Sequence, residues 1–145
     1  MTLDQLRERL AYWQRVLRLQ DWDIEVRVVP QHHIDPDSPK ATGRNKFHPV
    51  YRTSLILVAD PATCVSDHEA AFARSYDPEQ TLLHELVHLL MPHVKESTDE
   101  AEYSVEAIAN ALLRLERQGA NAHRLDVSTH ERPGQFVDVV VSGVR

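Results

Sequence analysis

Two histidines and one glutamate interrupt the almost wholly apolar stretch TLLHELVHLL, which runs from Thr81 to Leu90. His84, Glu85 and His88 form the pattern His-Glu-x-x-His, in which two imidazoles one helical turn apart can bind one Zn²⁺. At about 100° per residue, these three side chains share one narrow arc of a helix and apolar residues fill the rest. Because an unpaired buried polar group costs on the order of a few kcal/mol, the pattern favours a metal site over neutral core histidines.

A catalytic zinc site normally takes three protein ligands and leaves its fourth position to water, so a third ligand is needed. We predict a second helix from about Thr98 to Gln118, because Ser97 and Glu100 form a capping-box pattern at its start. Within this helix Glu102 falls inside the apolar stripe, where an acid needs a partner. The apolar set of the helix is Ala101, Val105, Ile108, Ala109, Leu112 and Leu113.

The register of the two helices suggests which acid completes the site. If they form an antiparallel hairpin around residues 92–97, His88 and Glu102 come out level, at about 1.5 Å of rise per residue. Glu106 then lies about one turn deeper, near His84, where its carboxylate can accept a hydrogen bond from the ring of a ligating histidine. We predict His84, His88 and Glu102 as metal ligands, supported by Glu106. The alternative assignment exchanges the two glutamates.

The elements expected to position these residues are those of a small α+β domain. Apolar residues at intervals of three and four predict a helix from Leu3 to Leu17, and the alternation in DWDIEVRVVP predicts a half-buried strand. A second strand is expected from Ser54 to Ala59, and the motif helix from about Pro78 to Met91. The predicted fold class is α+β, with an N-terminal helix, a short mixed or antiparallel sheet and two packed helices that carry the site.

The remaining segments are less regular. Residues 31–49, rich in proline and polar side chains, suit a loop or an irregular hairpin, and residues 62–77 suit a weakly helical or irregular link. Gly119 is a candidate helix C-cap. We therefore predict a domain at residues 1–119 and a C-terminal tail at 120–145, in which FVDVVVSG is either a terminal strand or flexible.

The composition bounds the partners. With 145 residues and 42% hydrophobic content the chain suits one domain, and a net charge of −6 gives no general attraction to nucleic acid. The single cysteine, Cys64, has no internal disulfide partner, and no charged-then-apolar leader is found, so we expect a cytoplasmic protein. No apolar run approaches the roughly 20 residues that cross a bilayer, so no membrane partner is expected. The oligomeric state is left open.

The chain resembles the gluzincin group of zinc metallopeptidases, in which a His-Glu-x-x-His helix is completed by a glutamate on a following helix. The residues that carry the resemblance are LLHELVHLL and EYSVEAIANALL, preceded by DWDIEVRVV and LILVAD. More narrowly, it is similar to the compact minigluzincins and to the SprT-like and ImmA/IrrE-type proteins of phages and bacteria. The ImmA/IrrE type favours Glu106 as the ligand. SprT-like proteins usually use a histidine, for which this chain offers no good candidate.

The resemblance implies a zincin-like metallopeptidase with a Zn²⁺ cofactor and a peptide or protein substrate. Glu85 is then the general base, which takes a proton from a metal-activated water and passes it to the leaving amine. The strand LILVA is a candidate to line the cleft and pair with an extended peptide by strand addition. Tyr103 and His93 are candidates to assist the oxyanion.

Two other functions stay open at this stage. A catalytically silent module with the same fold, including one of phage origin, would act as a regulatory or protein-binding factor. A structural zinc site without chemistry is disfavoured, because a closed site does not need the base that Glu85 provides.

Overall fold

The structure, a computed structural model, describes residues 1–64, 76–91 and 98–130, the last ten of them by their backbone alone. These residues contain three α-helices and a three-stranded mixed sheet, which confirms the predicted α+β fold class. The chain falls into two compact units, Met1–Leu113 and Arg114–Arg145. The apolar core and the predicted site residues belong to the first unit.

Helix α1 spans Leu3–Val16 and confirms the predicted N-terminal helix. It starts with a capping box, because the Thr2 hydroxyl accepts a hydrogen bond from the backbone N–H of Gln5 and the Gln5 side chain accepts one from the backbone N–H of Thr2. Spacings of four and three residues place its buried stripe on one face, which consists of Leu6, Leu10 and Trp13. This face forms part of the core.

The sheet has the strand order β1-β3-β2, with β1 at Asp23–Val29, β2 at Gly43–His48 and β3 at Thr53–Ala59. β1 runs parallel to β3, and β2 runs antiparallel to it. The two predicted strands are confirmed as β1 and β3. The segment predicted as a loop or irregular hairpin contributes β2, which joins β3 through a turn at residues 49–52. β3 is therefore the central strand.

Helix α2 spans Pro78–Leu90 and matches the predicted motif helix to within one residue. Asp77 caps its N-terminus by accepting hydrogen bonds from the backbone N–H groups of Glu79 and Gln80, and Pro78 occupies the first helical position. α2 packs against α1, β2 and β3. Its first turn is tied to α1, because the buried Glu79 carboxylate accepts a hydrogen bond from the Trp13 indole at 3.0 Å.

Helix α3 spans Asp99–His130, so the predicted end at Gln118 and the predicted C-cap at Gly119 are wrong. A single interior glycine costs a helix only about 1 kcal/mol, and the helix-compatible residues that follow outweigh it. Thr98 provides the capping hydrogen bond, accepting from the backbone N–H of Ala101. None of the described helices, α3 included, is both long and apolar enough to cross a membrane.

Some predictions fall on residues that the structure does not describe. They are the N-cap at Ser97, most of the link at 62–77, and the terminal strand or flexible end beyond residue 130. A short 3₁₀ turn at Pro61–Thr63 overlaps the start of this link. The division at residue 119 into a domain and a tail stays a prediction.

Candidate metal centre

Helix α2 places two imidazoles side by side, one turn apart. His84 and His88 are the only residues of the motif that face partly outward, with 19% and 28% of their side chains exposed, while four of the five leucines of α2 are buried. Their rings lie 4.9 Å apart, centre to centre, and their Nε2 atoms are 3.2 Å apart. Both Nε2 atoms therefore converge on one point beside the helix.

Helix α3 brings a carboxylate to the same point. The Oε2 atom of Glu102 lies 3.2 Å from Nε2 of His84 and 3.6 Å from Nε2 of His88. With bonds of about 2.0–2.1 Å, two ligand atoms of a tetrahedral zinc ion are separated by about 3.3–3.4 Å. The separations of 3.2, 3.2 and 3.6 Å are thus those of one face of a zinc tetrahedron. The donor set of two imidazoles and one carboxylate fits a divalent metal ion.

The electrostatics of this cluster also favour a cation. Burial, partly offset by the nearby Glu102 carboxylate, lowers the pKa of His88, so that its imidazole is held in the neutral form that binds metals. Two imidazole nitrogens and a carboxylate oxygen, atoms of the kinds that bind metal ions, thus lie around one point. With 42% of the Glu102 side chain exposed, the cluster is open to solvent on one side, where a fourth position is accessible.

Glu106 lies behind His84 and not among the converging atoms. Its Oε2 atom is 3.1 Å from Nδ1 of His84 and also accepts a hydrogen bond from the Gln80 amide at 2.7 Å. Its Oε1 atom accepts one from the Asn110 amide, also at 2.7 Å. A carboxylate only accepts, so Nδ1 of His84 donates to Glu106, and Nε2 is the ring nitrogen that would ligate a metal ion.

The three donors also keep Glu106 ionised. Partial burial works against the charge, but hydrogen bonds from Asn110, His84 and Gln80 outweigh it and hold the pKa of Glu106 below its ordinary value. With both of its oxygens engaged in this way, Glu106 is fitted to orient His84. The predicted assignment, with Glu102 rather than Glu106 at the metal, is the one this geometry favours.

Removing the amides that hold Glu106 should loosen the site without removing a ligand. We expect Asn110→Leu, and separately Gln80→Leu, to weaken Zn²⁺ affinity about 10-fold, the lower end of the range for outer-shell partners. Competition with a metal-sensitive chelating dye measures this affinity. Gln20→Leu, at an exposed amide remote from the motif, is the matched control and should leave the affinity unchanged. Unchanged affinity in both test variants would show that Glu106 needs no such support.

Glu85, the remaining ionisable residue of the motif, lies against β2. Only 7% of the residue is exposed, and among the described residues no group donates a hydrogen bond to its carboxylate. Burial, together with the negative charge of Glu102, raises the pKa of Glu85 to about 8. A bound cation would act in the opposite direction on this pKa. Without a metal ion, Glu85 is thus a buried acid with a raised pKa.

The close approach of β2 explains how Glu85 is held. A Cβ atom added at Gly43 would lie 2.6 Å from Oε1 of Glu85 and 2.5 Å from Cγ2 of Thr81, so any other residue here would have to displace these side chains. Two residues further along β2, the Asn45 amide donates to the backbone carbonyl of Glu85 at 2.9 Å. The Ser54 hydroxyl in turn donates to Asn45 at 2.8 Å. β2 is therefore fastened to α2 at the motif itself.

These supporting residues of β2 were not predicted from the sequence. Gly43 and Asn45 lie in a segment for which no chemistry was predicted, although one of only four glycines stands there and a glycine in a strand often marks close backbone approach. Tyr103, a candidate to assist the oxyanion, is 77% exposed and makes no described contact with the cluster. The other candidate, His93, lies outside the described residues.

The predicted role of the strand LILVA as a docking edge is wrong. This strand is β3, and both of its edges are already paired, one with β1 and one with β2. A strand without a free edge has no backbone groups to offer to a peptide. Among the described strands, β2 has the free edge next to the motif. It was not predicted as a strand because its sequence, GRNKFH, is mostly polar.

Comparison of the chain with family models, with curated proteins and with solved structures found no match. What the site does must therefore be inferred from its own residues and their geometry.

Proposed function

We propose that this protein is a zinc-dependent metallopeptidase. The observation that carries the proposal is the triangle of donor atoms from His84, His88 and Glu102, with a buried acid, Glu85, on the same helix beside it. Two imidazoles and a carboxylate with one open position form the ligand set of hydrolytic zinc sites. A purely structural site would need a fourth protein ligand, and among the described residues no other group joins the cluster.

Each residue of the site has its own role in the proposed reaction. A zinc ion bound at this triangle would supply Lewis acidity and make a water molecule acidic near neutral pH. Glu85 takes the proton of the attacking water as general base and hands it to the leaving amine as general acid. Glu106 fixes the tautomer of His84 through Nδ1. The close contact with Gly43 keeps the Glu85 carboxylate in one place.

The free edge of β2 supplies the docking place for the substrate. The Ala59 N–H donates to the Thr42 carbonyl, and Gly43 stands opposite Val58, so the Gly43 pair is a non-hydrogen-bonded pair of the ladder. By the alternation of an antiparallel ladder, the backbone groups of Gly43, Asn45 and Phe47 point away from β3, toward the free edge. An extended peptide added there would pass directly beside Glu85.

The proposal is tested by measuring metal content and cleavage together. Protein expressed with zinc should contain one Zn²⁺ per chain by mass spectrometry of the native protein, and it should cleave members of a broad peptide library. Removal of the metal by a chelator should stop cleavage, and added Zn²⁺ should restore it. Zinc bound without any cleavage would favour the catalytically silent binding module, and absence of bound zinc would refute the metallopeptidase.

Gly43 offers a test of how Glu85 is held. In Gly43→Ala the new methyl group would overlap the Glu85 carboxylate, which turns away more readily than the backbone moves. We expect cleavage to fall about 100-fold, the usual cost of misplacing a reacting group by about 1 Å, while the bound zinc is retained. Gly119→Ala is the control, because nothing lies within 4 Å of a Cβ at that position. It should leave cleavage unchanged.

A further inference from the structure

The free edge of β2 carries a row of basic side chains on one face. Strand residues alternate between faces, so Gly43, Asn45 and Phe47 share the face toward α2. Arg44, Lys46 and His48 share the other face. Lys46 and His48 are exposed, and 41% of the Arg44 side chain is exposed. This row is local, because the chain as a whole has a net charge of −6.

The charges of this row are only partly compensated. Arg44 makes an ion pair with Asp35 at 3.3 Å, which leaves part of its guanidinium open to solvent. Across the strand pairing Lys46 stands opposite Leu55 on β3, so its direct sheet neighbour is apolar. Among the described residues Lys46 has no ion pair. A strand added at the outer edge would place its own side chains next to these cations, at about 4.5–5.5 Å between Cβ atoms.

We propose that the edge of β2 selects extended segments with acidic side chains at alternate positions, separated by uncharged residues. This substrate class rests on the proposed peptidase function, which uses the same edge. Acidic side chains would lie beside Arg44 and Lys46. The intervening side chains would lie on the face of Gly43 and Asn45, the face that lies against Glu85.

The same row has a protective role that agrees with this selectivity. Lysine on an exposed edge discourages pairing with other chains. The lysine repels basic strands, and an apolar strand would have to desolvate its charge. A strand of opposite charge meets neither obstacle. The net negative charge of the chain opposes acidic peptides only weakly, because salt screens charges beyond about 8 Å, whereas the row acts at contact distance.

The size of the preference follows from cross-strand pairs. An opposite-charge pair directly across two strands strengthens association about 1.4- to 5-fold, and two such pairs together about 2- to 30-fold. Like charges weaken it by similar factors. An acidic peptide should therefore bind better than its basic counterpart by at least about 4-fold.

Binding is best measured on the full chain kept free of metal by a chelator, so that no peptide is cut. Two fluorescein-labelled peptides, alternating Glu with Val and Lys with Val, are titrated with protein and followed by fluorescence anisotropy. We expect the Glu peptide to bind more tightly, and its advantage to shrink as salt is raised. Lys46→Glu should remove or reverse the preference. Arg15→Glu, an exposed charge reversal on α1, is the matched control and should keep it.

The outcomes separate this inference from the peptidase proposal. Equal binding of the two peptides, binding of neither, or a preference that survives Lys46→Glu would each overturn the selectivity at β2. A preference that follows Lys46 in a protein that never cleaves would sustain the selectivity and refute the peptidase function alone.

Discussion

Replacing Glu85 by glutamine is expected to remove peptide cleavage while zinc stays bound. Glutamine has nearly the same shape, so it fits the buried place against Gly43, but it cannot take a proton from water. The loss should be about 10²- to 10⁴-fold in kcat, the usual contribution of a positioned general base. The measurement is cleavage of the best library peptide, with zinc content determined on the same preparation.

A control and a second readout make this result specific. Glu100→Gln, at an exposed acid near the start of α3, changes the charge equally and should leave cleavage intact. In the metal-free chain the pKa of Glu85 is raised from 4.5 to about 8, so its favourable contribution to stability is full below about pH 4.5 and lost as pH rises through 8. Glu85→Gln should abolish that pH dependence. A fully active variant would refute the general-base role.

Comparing glutamine substitutions at the two glutamates of α3 should identify the third ligand. The Glu102 oxygen lies at the metal position, whereas both Glu106 oxygens are engaged by amides and by His84. Glu106→Gln should weaken Zn²⁺ affinity about 10- to 100-fold, as for other outer-shell carboxylates. Glu102→Gln should weaken it further than this range. Competition with a chelating dye gives both values.

The reverse order of effects would have a definite meaning. If Glu106→Gln lost the metal while Glu102→Gln kept it, the exchanged assignment would hold, and α3 would have to turn on binding. Glu116→Gln, a further glutamate on α3 that lies beyond the first unit, serves as a control and should bind zinc like the unaltered chain.

The metal cluster could be anticipated because it depends on local periodicity. A spacing of four residues on a helix fixes the relation of His84 to His88, and the apolar residues around them fix the direction of that face. The position of Glu102 followed from the rise per residue in two antiparallel helices, and the structure does place it level with the histidines. Short-range geometry of this kind is contained in the sequence.

The order of the strands could not be anticipated in the same way. β3 was recognised because it is apolar, but apolar content does not tell a central strand from an edge. The segment of β2 was predicted as a loop or an irregular hairpin because an exposed edge strand such as GRNKFH is mostly polar and shows no apolar alternation. The predicted C-cap at Gly119 was wrong for a related reason. A glycine ends a helix only where the backbone becomes left-handed. These features depend on which segments meet in space.

The burial of Glu85 has a consequence for the evolution of this chain. A buried acid that receives no hydrogen bond from the described residues, and that lies against Gly43, works against folding wherever it is ionised. Leucine, which already occupies five of the 13 positions of α2, would suit that environment better. Selection for robustness alone would therefore have erased the glutamate, and its presence supports the proposed role in a reaction that would be worth some thermal resilience.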